Sequence, residues 1–167
     1  KEREIIINSA VNYLKINNID NEIIAGGETA GIPYAAYISE KLKKPMVYIR
    51  KKPKGFGINK QIEGNFYKNQ SALLVEDLAT DGGSKINFIK AMREAELKVK
   101  DIFVIFYYNI FDFKKSDLFK LNVKIHSLCT WKSIIKYIEK NKLYTEKEIL
   151  DLKIFLSNPN KWRENNG

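Results

Sequence analysis

Short, unbroken runs of apolar residues, separated mainly by helical patterns, constrain this chain more than any other feature. They lie at residues 22–25, 46–49, 71–75 and 101–108, and residues 123–128 read as a fifth strand. A strand that alternates apolar and polar residues keeps one face in water, whereas a continuous apolar strand is covered on both faces. Between the runs, Ile6, Ile7, Ala10, Val11 and Leu14 recur at helical spacing, and so do Ile86, Ile89, Met92 and Ala95. The predicted helices cover residues 3–16, 32–42, a stretch after Ser84, 131–142, and a last one from Thr145 to near Leu156. In Thr145-Glu146-Lys147-Glu148 the spacing is that of a capping box, and Asn158-Pro159 stops the helix that it opens. Strands covered by helices on both sides make an α/β fold with a parallel sheet of about five strands. No repeat, low-complexity tract or linker divides the 167 residues, so residues 1–167 are expected to form one domain.

The composition narrows the class of partner. At 44% hydrophobic and 12% aromatic residues the chain can bury a core, and at this length it needs no disulfide or metal to fold. Its one cysteine, Cys129, excludes a disulfide framework and fits a reducing, cytoplasmic compartment. No apolar run reaches the roughly 18 residues that a membrane span requires, so no membrane partner is expected. The chain starts at Lys1 rather than Met and is expected to be part of a longer polypeptide. A net charge of +9 invites a nucleic-acid reading, but residues 41–60 hold eight basic side chains and no acid. The remainder carries 29 − 8 = 21 basic against 20 acidic groups. That balance leaves no second basic face, and nucleic acid is not expected as a partner.

The segment from Ala72 to Ser84 carries the chemistry. A buried strand delivers Glu76 and Asp77 at its C-terminal end, and Leu78-Ala79-Thr80-Asp81-Gly82-Gly83-Ser84 then leads into a helix. Ligands of parallel sheets bind at this edge. The helix N-terminus and a glycine-lined backbone suit a phosphate, while the two carboxylates suit hydroxyl groups or a cation. A ribose 5-phosphate has both chemistries. No Walker A sequence and no dinucleotide fingerprint is present.

Glu76 to Ser84 resembles the ribose-phosphate motif of the type I phosphoribosyltransferases. Two further segments narrow the likeness within that family. Ile24-Ala25-Gly26-Gly27-Glu28-Thr29-Ala30-Gly31-Ile32-Pro33 comes first, and then Val47-Tyr48-Ile49-Arg50-Lys51-Lys52-Pro53-Lys54-Gly55-Phe56-Gly57 with its Gln61-Ile62-Glu63-Gly64 return. Together they are similar to the orotate phosphoribosyltransferases, from about residue 20 to 130. The resemblance implies the type I fold with a mobile catalytic loop and C-terminal helices. It also implies transfer of phosphoribose from phosphoribosyl pyrophosphate (PRPP) to orotate, in the synthesis of UMP.

Carried over by position, Gly26, Gly27, Glu28 and Thr29 would receive the pyrophosphate. Leu78, Ala79 and Thr80, with Asp81, Gly82, Gly83 and Ser84, would form the PRPP loop that holds the 5-phosphate. Glu76 and Asp77 would bind the ribose hydroxyls, and Thr80 would also touch orotate. Arg50, Lys51 and Lys54 would be the catalytic cations. The resemblance further implies a homodimer in which the loop around Lys54 reaches the neighbouring subunit's site, and Mg²⁺ held mainly through PRPP with no direct protein ligand. Phe56 stands where many relatives have His, Ala30 where some have Lys, and Tyr107-Tyr108-Asn109 where an arginine often pairs with the orotate carboxylate. The hood that precedes this core in the family is expected to lie outside these residues.

Two rival functions are a purine-type phosphoribosyltransferase and a nucleic-acid-binding regulator on the same fold. The Arg50 to Gly57 pattern speaks against the first, and the balanced charge outside residues 41–60 against the second. Elsewhere the expectations are structural. His126 is read as a structural or exposed strand residue, and Cys129 as a buried small apolar group. Trp131 with Phe103, Phe106, Phe111 and Phe113 is read as core or dimer contact, and Lys41, Lys43 and Lys44 as a solvated helix end.

Overall fold

Residues 1–53, 61–80 and 82–159 are described by the computed structural model, and the structural statements below concern them. In chain order the strands are β1 (Ile23–Gly27), β2 (Met46–Ile49), β3 (Ile62–Glu63), β4 (Ser71–Ala79), β5 (Lys98–Tyr107) and β6 (Lys124–Thr130). The helices are α1 (Glu2–Ile16), α2 (Gly31–Leu42), α3 (Gly83–Glu94), α4 (Asp117–Lys120), α5 (Trp131–Lys140) and α6 (Glu146–Ser157). One sheet has the order β3-β2-β1-β4-β5-β6. All its pairings are parallel except that of β2 with β3.

The sheet therefore has six strands rather than about five. The extra one is two residues long and antiparallel, pairing Tyr48 with Glu63 and Ile49 with Ile62. Gln61-Ile62-Glu63-Gly64 is too short to show a period. It becomes a strand because the chain folds back onto β2, where the Arg50 amide donates to the Gln61 carbonyl at 2.8 Å.

Side chains alternate across the pleat and build two cores. On one face Ile24, Leu73, Val75 and Phe103 pack with Ile7, Ala10, Val11 and Leu14 of α1 and with Ala35 and Ile38 of α2. On the other, Ile23, Ala25, Leu74, Ile102 and Val104 pack with Phe88, Ile89 and Met92 of α3. Each such buried side chain contributes about 1.5–3 kcal/mol relative to exposure. The buried face of α3 is not quite the predicted one. Lys85, Phe88, Ile89 and Met92 are buried, so the stripe begins at Lys85. The capping box of α6 forms as expected: Thr145 Oγ1 accepts from the Glu148 amide at 3.3 Å, and Glu148 Oε2 accepts from the Thr145 amide at 2.8 Å.

Two bland expectations are corrected. Lys44 is not solvated; its ammonium bonds the Asp20 carboxylate and the Asn21 carbonyl and ties α2 to the turn before β1. Cys129 is half-buried rather than buried, with Sγ 3.4 Å from Ser133 Oγ at the start of α5. His126 does take a structural position, with Nε2 2.8 Å from Asp101 Oδ1 and the ring edge-on to Tyr13. No described helix is long and apolar enough to cross a membrane.

Candidate active site

Strand β1 pairs with β2 on one side and with β4 on the other, so the connections leaving β1 and β4 diverge. A crevice opens where such connections part, beyond the carboxyl ends of the strands. Here it measures about 400 Å³ and is lined by residues of four segments. Glu28, Thr29 and Ala30 come from the turn after β1, and Glu76, Asp77, Leu78 and Thr80 from the end of β4. Gly82, Gly83, Ser84 and Lys85 come from the start of α3, and Lys51 from the residues after β2. Segments far apart in sequence, singled out by their motifs, thus share one cleft.

The paired acids differ in environment. Strand β4 continues through Ala79, beyond the predicted end, so successive side chains there point to opposite faces. Asp77 is half-buried in the cleft, whereas Glu76 is only 5% exposed. Glu76 Oε2 accepts from the Lys85 ammonium at 3.1 Å. Burial raises the pKa of Glu76 above the ordinary carboxylate value; Lys85 pulls it back and Asp77 adds to the rise. Sequence reading missed Lys85, which at 4% exposed is as buried as its partner.

The glycines before and after these acids have different roles. Gly26 and Gly27 are buried residues of β1 and do not line the cleft. Both pair in register with β2, Gly26 with Tyr48 and Gly27 with Ile49. The Glu28 amide is also engaged, donating to the Ile49 carbonyl at 2.9 Å. Gly27 is needed for close approach instead: a Cβ there would lie 2.0 Å from Glu76 Oε1 and 2.8 Å from Phe88 Cε2. Gly82 has φ +88°, in the left-handed region, and a Cβ there would meet Leu118 Cδ1 at 2.2 Å. It caps α3, whose exposed first residues Gly83 and Ser84 present the positive end of the helix to the cleft.

The cations are divided. Lys51 lines the cleft, and its amide donates to Glu28 Oε2 at 2.7 Å, which anchors the β1 turn to the residues after β2. Arg50 is not among the lining residues; its guanidinium lies 3.8 Å from Glu63 Oε1 on the return strand. Ala79 is fully buried, so it supports the loop without facing the cleft. Lys54, Phe56 and Asp81 lie outside the described residues. Beside the cleft edge, Tyr108 and Phe106 meet Trp131 edge-on at 5.9 and 5.4 Å, so Trp131 belongs to an aromatic cluster. Phe103 is core, and Phe111 is exposed. Among the described residues no three His, Cys, Asp or Glu side chains converge to hold a metal ion.

The sequence is 47% identical over 143 residues to an orotate phosphoribosyltransferase of Roseobacter denitrificans, covering 86% of this chain and 64% of that one. It is 44% identical over 146 residues to the Agrobacterium fabrum enzyme of the same name, covering 87% and 63%. The chain therefore spans a little under two thirds of the length of these curated relatives. The crystal structure of orotate phosphoribosyltransferase from Aeropyrum pernix matches with a TM-score of 0.70 and 25% identity, over 86% of this chain and 77% of that one. No protein-family profile matches. Close to half of the aligned residues coincide with relatives of a single name and the fold agrees, so the chain belongs to the orotate phosphoribosyltransferase family.

Proposed function

We propose that this protein transfers phosphoribose from PRPP to orotate, giving orotidine 5′-monophosphate and pyrophosphate. The observation that carries the reading is the meeting of Thr29, Ala30, Lys51, Asp77, Thr80, Gly82, Gly83 and Ser84 around one cleft of about 400 Å³. In the reaction the bond from C1 of the ribose to pyrophosphate breaks and a bond from C1 to the base nitrogen forms. Negative charge collects on the leaving diphosphate, where Lys51 and the turn at Thr29 and Ala30 stabilise it. Positive character develops on the ribose ring, beside the Asp77 carboxylate. The 5-phosphate sits at the N-terminus of α3, against Gly83 and Ser84.

Mg²⁺ would enter with PRPP rather than on a protein ligand set, and would supply charge neutralisation to the leaving group. Thr80, which also lines the cleft, would touch the base. We further propose a cytoplasmic homodimer in which the loop around Lys54 reaches the neighbouring subunit's site.

The test is a PRPP-dependent assay that follows orotate absorbance. Loss of orotate with release of pyrophosphate is expected. Turnover of adenine or guanine in place of orotate would overturn the assignment.

A further inference from the structure

Among the described residues Glu76 and Lys85 are the only buried charged side chains, and they are partners at 3.1 Å. A buried ion pair is costly to assemble, so its presence beside a cleft asks for a reason. Each half belongs to a different part of the site. Lys85 stands in the first turn of α3, and Glu76 lies at the end of β4. The second oxygen of Glu76, Oε1, is buried and accepts no hydrogen bond. It lies under the turn after β1, where Cβ atoms built on Gly27 and Gly31 would fall 2.0 and 2.5 Å from it. The pair is therefore a strut that touches three of the four segments of the cleft.

We propose that Lys85 is a positioning residue of the PRPP site, gripping one oxygen of Glu76 so that the other supports the turn at Gly27–Gly31. The inference rests on the phosphoribosyl-transfer reading and deepens it. A substrate with a phosphate at each end of a ribose must touch the α3 N-terminus and the β1 turn at once. The strut sets the distance between them before the substrate arrives. Lys85 acts through Glu76, and the charged groups facing that carboxylate are Lys85 from α3, neighbouring Asp77 on β4, and Lys51 after β2.

The experiment is PRPP binding by titration calorimetry, in buffer with Mg²⁺, from pH 6 to pH 8. It compares the wild type, Lys85→Met, Glu76→Gln and the Glu76→Gln/Lys85→Met double variant. Lys85→Met is expected to bind PRPP roughly tenfold more weakly than wild type at pH 8, the loss of one charge-assisted hydrogen bond. The deficit should grow toward pH 6, because Glu76 without its ammonium takes up a proton. The double variant has a neutral buried pair and should fold even if Lys85→Met does not. It is expected to bind as weakly as Glu76→Gln alone, since nothing is left for Lys85 to position. Wild-type affinity in the double variant, or a Lys85→Met deficit that does not change with pH, would overturn the proposal. Failure of the wild type to bind PRPP would instead overturn the transfer reading itself.

Discussion

Replacing Gly27 by alanine tests the packing beneath the cleft. The new methyl group would lie 2.0 Å from Glu76 Oε1, 2.7 Å from Glu76 Cδ and 2.8 Å from Phe88 Cε2. All three approaches are closer than real Cβ contacts allow, and neither neighbour yields easily. Phe88 is 1% exposed in the core, and Glu76 is held by Lys85. Overpacking a core site costs about 1–3 kcal/mol, and disturbing the charge-assisted bond adds about 1.5–3 kcal/mol. The sum, about 2.5–6 kcal/mol, is a large share of a typical domain's stability. At roughly 2–4 °C per kcal/mol for a chain of this size, the melting temperature should fall by roughly 5–24 °C. Thermal unfolding followed by circular dichroism reads this directly. The same substitution made in a Glu76→Ala background should cost less, because the nearest atoms are gone and only the Phe88 contact remains. A Gly27→Ala variant melting within about 2 °C of wild type would refute the reasoning. So would an undiminished cost in the Glu76→Ala background.

Three further outcomes follow from the described geometry. Asp77→Asn should lower turnover at least about tenfold while leaving the melting temperature nearly unchanged, because Asp77 faces the cleft and is only half-buried; an equal loss of stability would assign it to the fold. Thr145→Ala removes the α6 cap and should cost about 1 kcal/mol in chemical denaturation, with catalysis untouched. Glu76 gives a signed pH effect. Burial raises its pKa above 4.5, so the folded chain takes up that proton before the unfolded chain as pH falls. Its stabilising contribution is present below the unfolded value and lost as pH rises through the folded one. The melting-temperature difference between wild type and Glu76→Gln should move in favour of wild type from neutral pH down to about 4.5. A difference constant across that window would contradict the buried position of the carboxylate.

The sequence made some elements plain and hid others, for identifiable reasons. Helices α1 and α6 were legible because a long amphipathic period and a reciprocal cap are local properties. The motif ending in Glu76-Asp77 and its glycine loop located the cleft, since a buried strand that stops at acids and glycines leaves few other arrangements. Strand β3 was not legible. Two residues carry no period, and their pairing exists only because β2 offers an open edge. The division of labour between the paired acids was also hidden, as it depends on β4 continuing to Ala79 and on which face each side chain takes. Lys85 is the instructive miss. A lysine near a helix start reads as solvated, yet the spacing 85, 88, 89, 92 places it on the apolar stripe of α3. Following the stripe back through the charged residue would have exposed the buried cation. Gly26 and Gly27 carry a packing requirement that their phosphate-binding pattern does not reveal, since they make room for α2 and Glu76.

The return of the chain onto β2 has a consequence for how this family can vary. The Arg50 amide donates to the Gln61 carbonyl at 2.8 Å, and Gln61 Nε2 donates to the Arg50 carbonyl at 2.7 Å. These reciprocal bonds close the two ends of residues 51–60 like a clasp. Once a loop's ends are clasped, its closure entropy grows only with the logarithm of its length, about 0.6 kcal/mol for each doubling. Changing the number of residues between the clasped ends therefore adds little to the entropic cost of closing the segment.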